Sequence, residues 1–263
     1  MSRIFDAKDR QEVFDYILSG AKACSKIVSL VQVGSGAVGY HDERSDLDFV
    51  AALDTADSMP EVMEYTHRLI TAAYEISFFT QDENRHLQVF LLTNLLEIDI
   101  GYGGYEHAAA SKPAFKVLYD RSGTVEDQMI RSRAWIDDKI YGEKQKKDLD
   151  IARRSYWIRM MHAATAINRG LFLRAIGELE QVRKFYVDLL GDRLKLESGM
   201  NREMDRLPEN EKAVLMGTYV TGKNENELWE SLIRLTDLLY GELEGEDLPV
   251  SREMMYEYYK NLR

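Results

Sequence analysis

The residues best suited to chemistry lie in one stretch, VQVGSGAVGYHDERSDLDFVAAL. A Gly34-Ser35 turn is followed after a polar connector by Asp46 and Asp48. Residues two apart on a strand share a face, so Asp46 and Asp48 project together while Leu47 and Phe49 turn to the core. Two carboxylates that close repel and would raise one pKa unless a cation lies between them, so the pair favours a hard divalent ion with oxygen ligands. The Gly34-Ser35 turn offers backbone N–H groups and a hydroxyl to a phosphate chain, which such a metal can also bridge. A bare D-x-D is far better explained by solvated acids at a strand edge, and the weight falls on the combination.

Two familiar phosphate motifs overlap this stretch, and both fail on spacing or residue type. Gly34, Gly36 and Gly39 match G-x-G-x-x-G after a strand-like run, the fingerprint of a dinucleotide site. Only Tyr40 to Ser45 separate Gly39 from Asp46, and a parallel crossover needs at least ~10 residues including a helix. The Gly34-x4-Gly39 frame of a P-loop is present as well, but Tyr40 and His41 stand where Lys and Ser or Thr are required.

Strand, Gly-Ser, short polar connector and D-x-D entering an apolar strand together resemble the signature of the DNA polymerase β-like nucleotidyltransferase superfamily. The resemblance implies a third acid on a neighbouring strand, and LLEIDIGY supplies Asp99 between Ile98 and Ile100, with Glu97 on the same face as the alternative. It further implies nucleotidyl transfer from a Mg-bound nucleoside triphosphate, most simply ATP, to a small-molecule hydroxyl. Gly34 and Ser35 would hold phosphates, and Asp46, Asp48 and Asp99 would serve as catalytic and metal-binding residues. The later FKVLYDRSG resembles the segment that closes the catalytic domain of antibiotic-modifying members. INRGLFLRAIGELEQVRKFYVDLL resembles the paired helices of the aminoglycoside and lincosamide nucleotidyltransferases. An antibiotic acceptor is the corresponding expectation, with domains at 1–124 (catalytic) and 125–263 (helical, substrate-binding).

The elements needed to position these residues are legible in the periodicity. An amphipathic helix is expected from about Asp6 to Lys26, with Val13, Phe14, Ile17, Leu18 and Ala21 on one face. Buried strands are expected at Ile27 to Val33 and Leu47 to Leu53, and a helix from Pro60 to about Tyr74. His86 to Leu92 and Leu95 to Tyr102 read as a hairpin around Thr93-Asn94, followed by an extended piece at Phe115 to Tyr119. Beyond Gly123 the pattern is long helices with breaks at Gly170, Gly191, Pro208, Gly222 and Pro249. The fold class is therefore α+β, a mixed-sheet domain followed by an all-α bundle. Arg154, Arg159 and Arg169 are basic positions on those helices, read as solvated or as phosphate contacts. Tyr156, Trp157, Met160 and Met161 read as bundle packing.

Composition narrows the function classes. The 263 residues carry 34 Lys+Arg against 45 Asp+Glu, a net charge of −11, with 45% hydrophobic residues. That balance disfavours a nucleic-acid partner, whose backbone calls for clustered Lys and Arg. From Asn201 to Arg263 there are 14 acids against 8 bases, a density that would attract a cationic acceptor. Cys24 alone builds neither a disulfide framework nor a Cys-rich zinc site, and no apolar run suggests a signal peptide or membrane span. A cytoplasmic location is expected, with monomer and homodimer both open. His41, His67, His86, His107 and His162 form no H-x-x-x-H pair, and G-x-S-x-G is absent, which argues against a zinc hydrolase or serine esterase. The competing function is a nucleotide-binding regulatory or antitoxin-like protein that does not turn over.

Overall fold

The computed structural model describes residues 3–40, 42–110, 114–135, 141–221 and 224–263. His41 and Gly222, both singled out above, lie outside the described residues. The chain divides into two compact units, Met1–Ile136 and Asp137–Arg263. Helix α3 (Val125–Trp135) thus falls within the first unit rather than opening the second.

Helix α1 (Ala7–Ala23) starts at Asp6, whose carboxylate accepts from the N–H groups of Lys8 and Asp9 while Asp9 accepts from the Asp6 N–H. Such a reciprocal capping box contributes about 1 kcal/mol. Six strands follow: β1 (Ile27–Gln32), β2 (Leu47–Leu53), β3 (Ile76–Asp82), β4 (Leu87–Leu92), β5 (Glu97–Gly104) and β6 (Lys116–Asp120). Their order in the sheet is β3-β4-β5-β2-β1-β6. β1 and β2 are antiparallel, so the chain between them makes no crossover and the dinucleotide-binding reading is removed. β2 and β5 pair in parallel, and the chain between them holds helix α2 (Met59–Ala73) and the β3–β4 pair.

Strand β3 was not expected from the sequence. It lies at one edge of the sheet with Ser77, Phe78, Thr80 and Gln81 exposed, so its side chains carry no clear alternation.

Alternation along β2 and β5 separates the two faces of the sheet. Leu47, Phe49, Ala51 and Leu53, with Ile98, Ile100 and Tyr102, are buried in a core that also contains Val13 and Ile17 of α1 and Val62 and Ile70 of α2. A fully buried Leu, Ile or Phe contributes roughly 1.5–3 kcal/mol. A slip of one residue would exchange that gain for buried aspartates, so the apolar set fixes the register of the acids. On the opposite face Val31 and Ala52 pack with Ala110 and with Val125 and Met129 of α3 in a smaller core. Asp120 secures the entry to α3, accepting from the N–H and hydroxyl of Ser122 and from the Val125 N–H.

The second unit is helical: α4 (Tyr141–Asn168), α5 (Phe172–Leu194), α6 (Glu209–Met216), α7 (Glu225–Glu242) and α8 (Arg252–Leu262). Tyr156 and Met160 are fully buried in its core, and Trp157 and Met161 pack against it, so these residues build the bundle. Gly170 separates α4 from α5 in the left-handed region, at φ +68°. Gly191 does not break a helix. It lies inside α5, where a methyl group would come within 2.9 Å of the Leu196 carbonyl and of Ser198, so the glycine serves close approach of the following chain. Arg193 ties three helices together by pairing with Glu211 and Glu242.

Candidate active site

The turn after β1 is a short 3-10 helix, Gly34–Val38, closed by Gly39 in the left-handed region. Gly34 has φ +64°, and a methyl group on it would sit 2.0 Å from Oδ2 of Asp48. The glycine is thus needed twice, for its backbone conformation and for the carboxylate lying against it. The Val33 N–H donates to the Asp48 carbonyl at 3.1 Å, which fastens the turn to β2. Ser35 has a buried hydroxyl with no hydrogen-bond partner.

Asp48 and Asp99 are direct register partners across the parallel β2–β5 pair. In adjacent strands such partners project to the same side, so the sheet brings together two of the three acids expected from sequence. Asp46 immediately precedes β2 and, like Asp48 and Asp99, is half-buried, whereas Glu97 is exposed. Burial pushes the Asp99 carboxyl up to about 6, helped by the negative charges of Glu97 and Asp46. Its Oδ1 is buried without a hydrogen-bond partner. Orphaned buried oxygens in a native site call for an ion, a water or a ligand, and here two belong to Ser35 and Asp99.

These donors suit a hard cation in chemical type, being carboxylate and hydroxyl oxygens. They do not form a ready-made cage: among the described residues no three His, Cys, Asp or Glu are grouped closely enough to hold a metal ion.

Behind the turn lies a support that the sequence reading did not find. Arg10 of α1 is buried, and its guanidinium donates to the carbonyls of Asp42 at 3.0 Å and Ser45 at 3.2 Å. The same group lies 3.8 Å from the ring centroid of Tyr40. The amide of buried Gln32 donates to the Tyr40 hydroxyl at 2.7 Å, and the Gln32 side chain fills the space a methyl on Gly36 would need. Burial raises the Tyr40 pKa, while the Arg10 charge works the other way. Arg10 therefore braces the connector leading from the glycine turn to Asp46. No short-range pattern announces this, because its partners lie some thirty residues away.

In the helical unit Arg159 pairs with Glu178 at 3.1 Å, and His162 and Arg174 stand near the same carboxylate.

No family model matches this chain, and neither does any curated protein. Among solved structures it is distantly similar to one described as a cytoplasmic RNA terminal U-transferase, at 14% identity and a TM-score of 0.29. The match covers 89% of this chain and 66% of that one, so the chain spans a little under two thirds of the relative's length. A likeness at that level leaves the assignment to the residues themselves.

Proposed function

We propose that the N-terminal unit is a nucleotidyltransferase that moves a nucleoside monophosphate from a triphosphate to the hydroxyl of a small molecule. The observation that carries this reading is the register pairing of Asp48 with Asp99 beside a glycine turn whose Gly34 abuts the Asp48 carboxylate. In this reading the Gly34-Ser35 amides and the Ser35 hydroxyl hold the β and γ phosphates, where a buried unpaired oxygen gains a partner. Asp46 and Asp48 would hold a divalent cation, Mg2+ by the oxygen chemistry, with Asp99 as third ligand or as acceptor of the substrate proton. Bound there, the cation withdraws negative charge from the phosphate chain. Once the hydroxyl gives up its proton, its oxygen bonds to the α-phosphorus and the bond to pyrophosphate breaks. An aminoglycoside or lincosamide is the acceptor suggested by the family resemblance.

The test is a screen of ATP, UTP, GTP and CTP with Mg2+ against aminoglycosides, lincosamides and hydroxyl metabolites, read by pyrophosphate release. Acceptor-dependent release that chelation of Mg2+ abolishes is the expected result. Mg2+-dependent triphosphate binding with no release from any pair would instead favour the non-catalytic regulator. If only antibiotics are refused, transfer stands and the resistance role falls.

A further inference from the structure

The face of the sheet that carries the acids continues into a run almost without side chains. Strand β5 reads EIDIGYGG, and its alternation sends Ile98, Ile100 and Tyr102 into the main core and Asp99, Gly101 and Gly103 to the other side. Register pairs Asp48 with Asp99, then Val50 with Gly101, then Ala52 with Gly103. Paired carboxylates are thus succeeded by valine beside glycine and alanine beside glycine.

Glycine within a strand gives up packing and backbone entropy, and it is characteristic of places where a ligand or another backbone comes close. Neither Gly101 nor Gly103 has a positive φ, and a methyl group on Gly103 would meet no atom within 4 Å. Turn geometry and crowding therefore do not account for them. A cavity of about 150 Å³ lies here, walled by Val31, Val50, Ala52, Gly103, Val125 and Met129. Val33, the residue before the glycine turn, also lines it, so the cavity reaches the strand end that leads to the turn, while the acids themselves stand outside its wall.

We propose that this lane binds a compact apolar group, about the size of one six-membered ring, carried by the molecule whose hydroxyl meets Asp99. The volume decides the size, since an apolar cavity of about 150 Å³ accommodates benzene. The strand decides the span: Gly101 and Gly103 lie about 7 and 13 Å beyond Asp99 at the usual rise per residue. The acceptor is therefore extended, with a hydroxyl at one end and an apolar ring at the other. A polycationic sugar would have to shed water in this lane without a carboxylate to replace it. The link to a hydroxyl acceptor rests on the transferase reading, whereas the cavity and its ligand chemistry do not.

Benzyl alcohol is a direct probe, titrated into the full chain while backbone amide resonances are followed, with glycerol as the control. Saturable shifts at Val50, Ala52 and Gly103 are expected with benzyl alcohol and not with glycerol. Gly103→Leu, which fills the lane, should weaken binding at least tenfold, and Gly103→Ala, a milder change if the leucine variant folds poorly, by a few-fold. Unmoved amides, or equal binding by both variants and the natural chain, would overturn the proposal. With any triphosphate and acceptor found to react, the glycine variants should raise KM for the acceptor and leave KM for the triphosphate unchanged. A rise confined to the triphosphate would give the lane to the nucleobase and refute the assignment. Ring binding without pyrophosphate release from any pair would sink the transferase reading while supporting the lane.

Discussion

Gly34 and Asp48 occupy contiguous space: the carboxylate Oδ2 lies where the first side-chain atom of any other residue would be. Gly34→Ala should therefore act twice. The left-handed backbone costs alanine about 1–2 kcal/mol, and the displaced carboxylate adds to that. Urea unfolding is expected to show the loss of stability, and a triphosphate titration weaker binding than in a control such as Gly39→Ala, where a methyl meets no atom within 4 Å and only the backbone is strained.

Asp99 gives a pH signature of the folded chain. Its folded pKa of about 6 lies above the ordinary carboxylate value of 3.8, so the native state holds its proton more tightly than the unfolded chain. This contribution favours folding at low pH and fades as pH rises from about 4 through about 6. Asp99→Asn should remove that slope and make the metal-free protein more stable at pH 7, by about 1 kcal/mol once solvent screening of a half-exposed group is allowed for. Paired urea titrations at pH 4.5 and 7.5 measure the difference, and an unchanged slope would contradict the assigned shift.

Asp48→Asn keeps the shape of the side chain and removes one charge of the register pair. Turnover should fall by a hundredfold or more, as when a group that stabilises transition-state charge is lost, while circular dichroism shows the fold retained. Near-normal transfer by this variant with any accepted substrate would defeat the mechanism.

Arg10→Met replaces the buried guanidinium by an apolar chain and leaves the Asp42 and Ser45 carbonyls without their donor. A cost of about 1–3 kcal/mol is expected. With an active pair in hand, kcat should fall more than KM rises, because Asp46 loses its brace. Arg10→Lys should restore stability better than activity, since an ammonium can still donate to the two carbonyls but cannot lie flat on the Tyr40 ring.

Gly191→Ala tests the helical unit. A methyl group 2.9 Å from the Leu196 carbonyl and from Ser198 forces the chain after α5 to move, at a cost of about 1–3 kcal/mol. Thermal unfolding followed by circular dichroism reads the effect.

Much of the N-terminal unit was legible because its central strands are apolar and its helices periodic. Strand β2 runs over Leu47–Leu53, as the apolar run indicated, and the antiparallel pairing of β1 with β2 agrees with the absence of room for a crossover helix between Gly39 and Asp46. Edge strand β3 escaped notice because much of it faces solvent, so its residues follow no burial period. Gly191 was misread for a related reason: a glycine required by close packing has the same letter as one that ends a helix. At the site, the D-x-D spacing and the acid in LLEIDIGY were visible locally. Arg10, Gln32 and the Val50–Gly101 and Ala52–Gly103 pairs depend on which strands become neighbours, which local sequence does not encode.

The pairing of Asp48 with Asp99 also bears on how the chain comes together. The two residues lie roughly fifty positions apart and meet only when β5 docks beside β2, a long-range closure that is slow compared with forming α2 or the β3–β4 hairpin. Until then Asp99 sits on its own strand, well hydrated and away from the charge of Asp46. The electrostatic cost of the site therefore falls on the step that completes the sheet, and a chain arrested before that step would possess most of its helices without the paired acids.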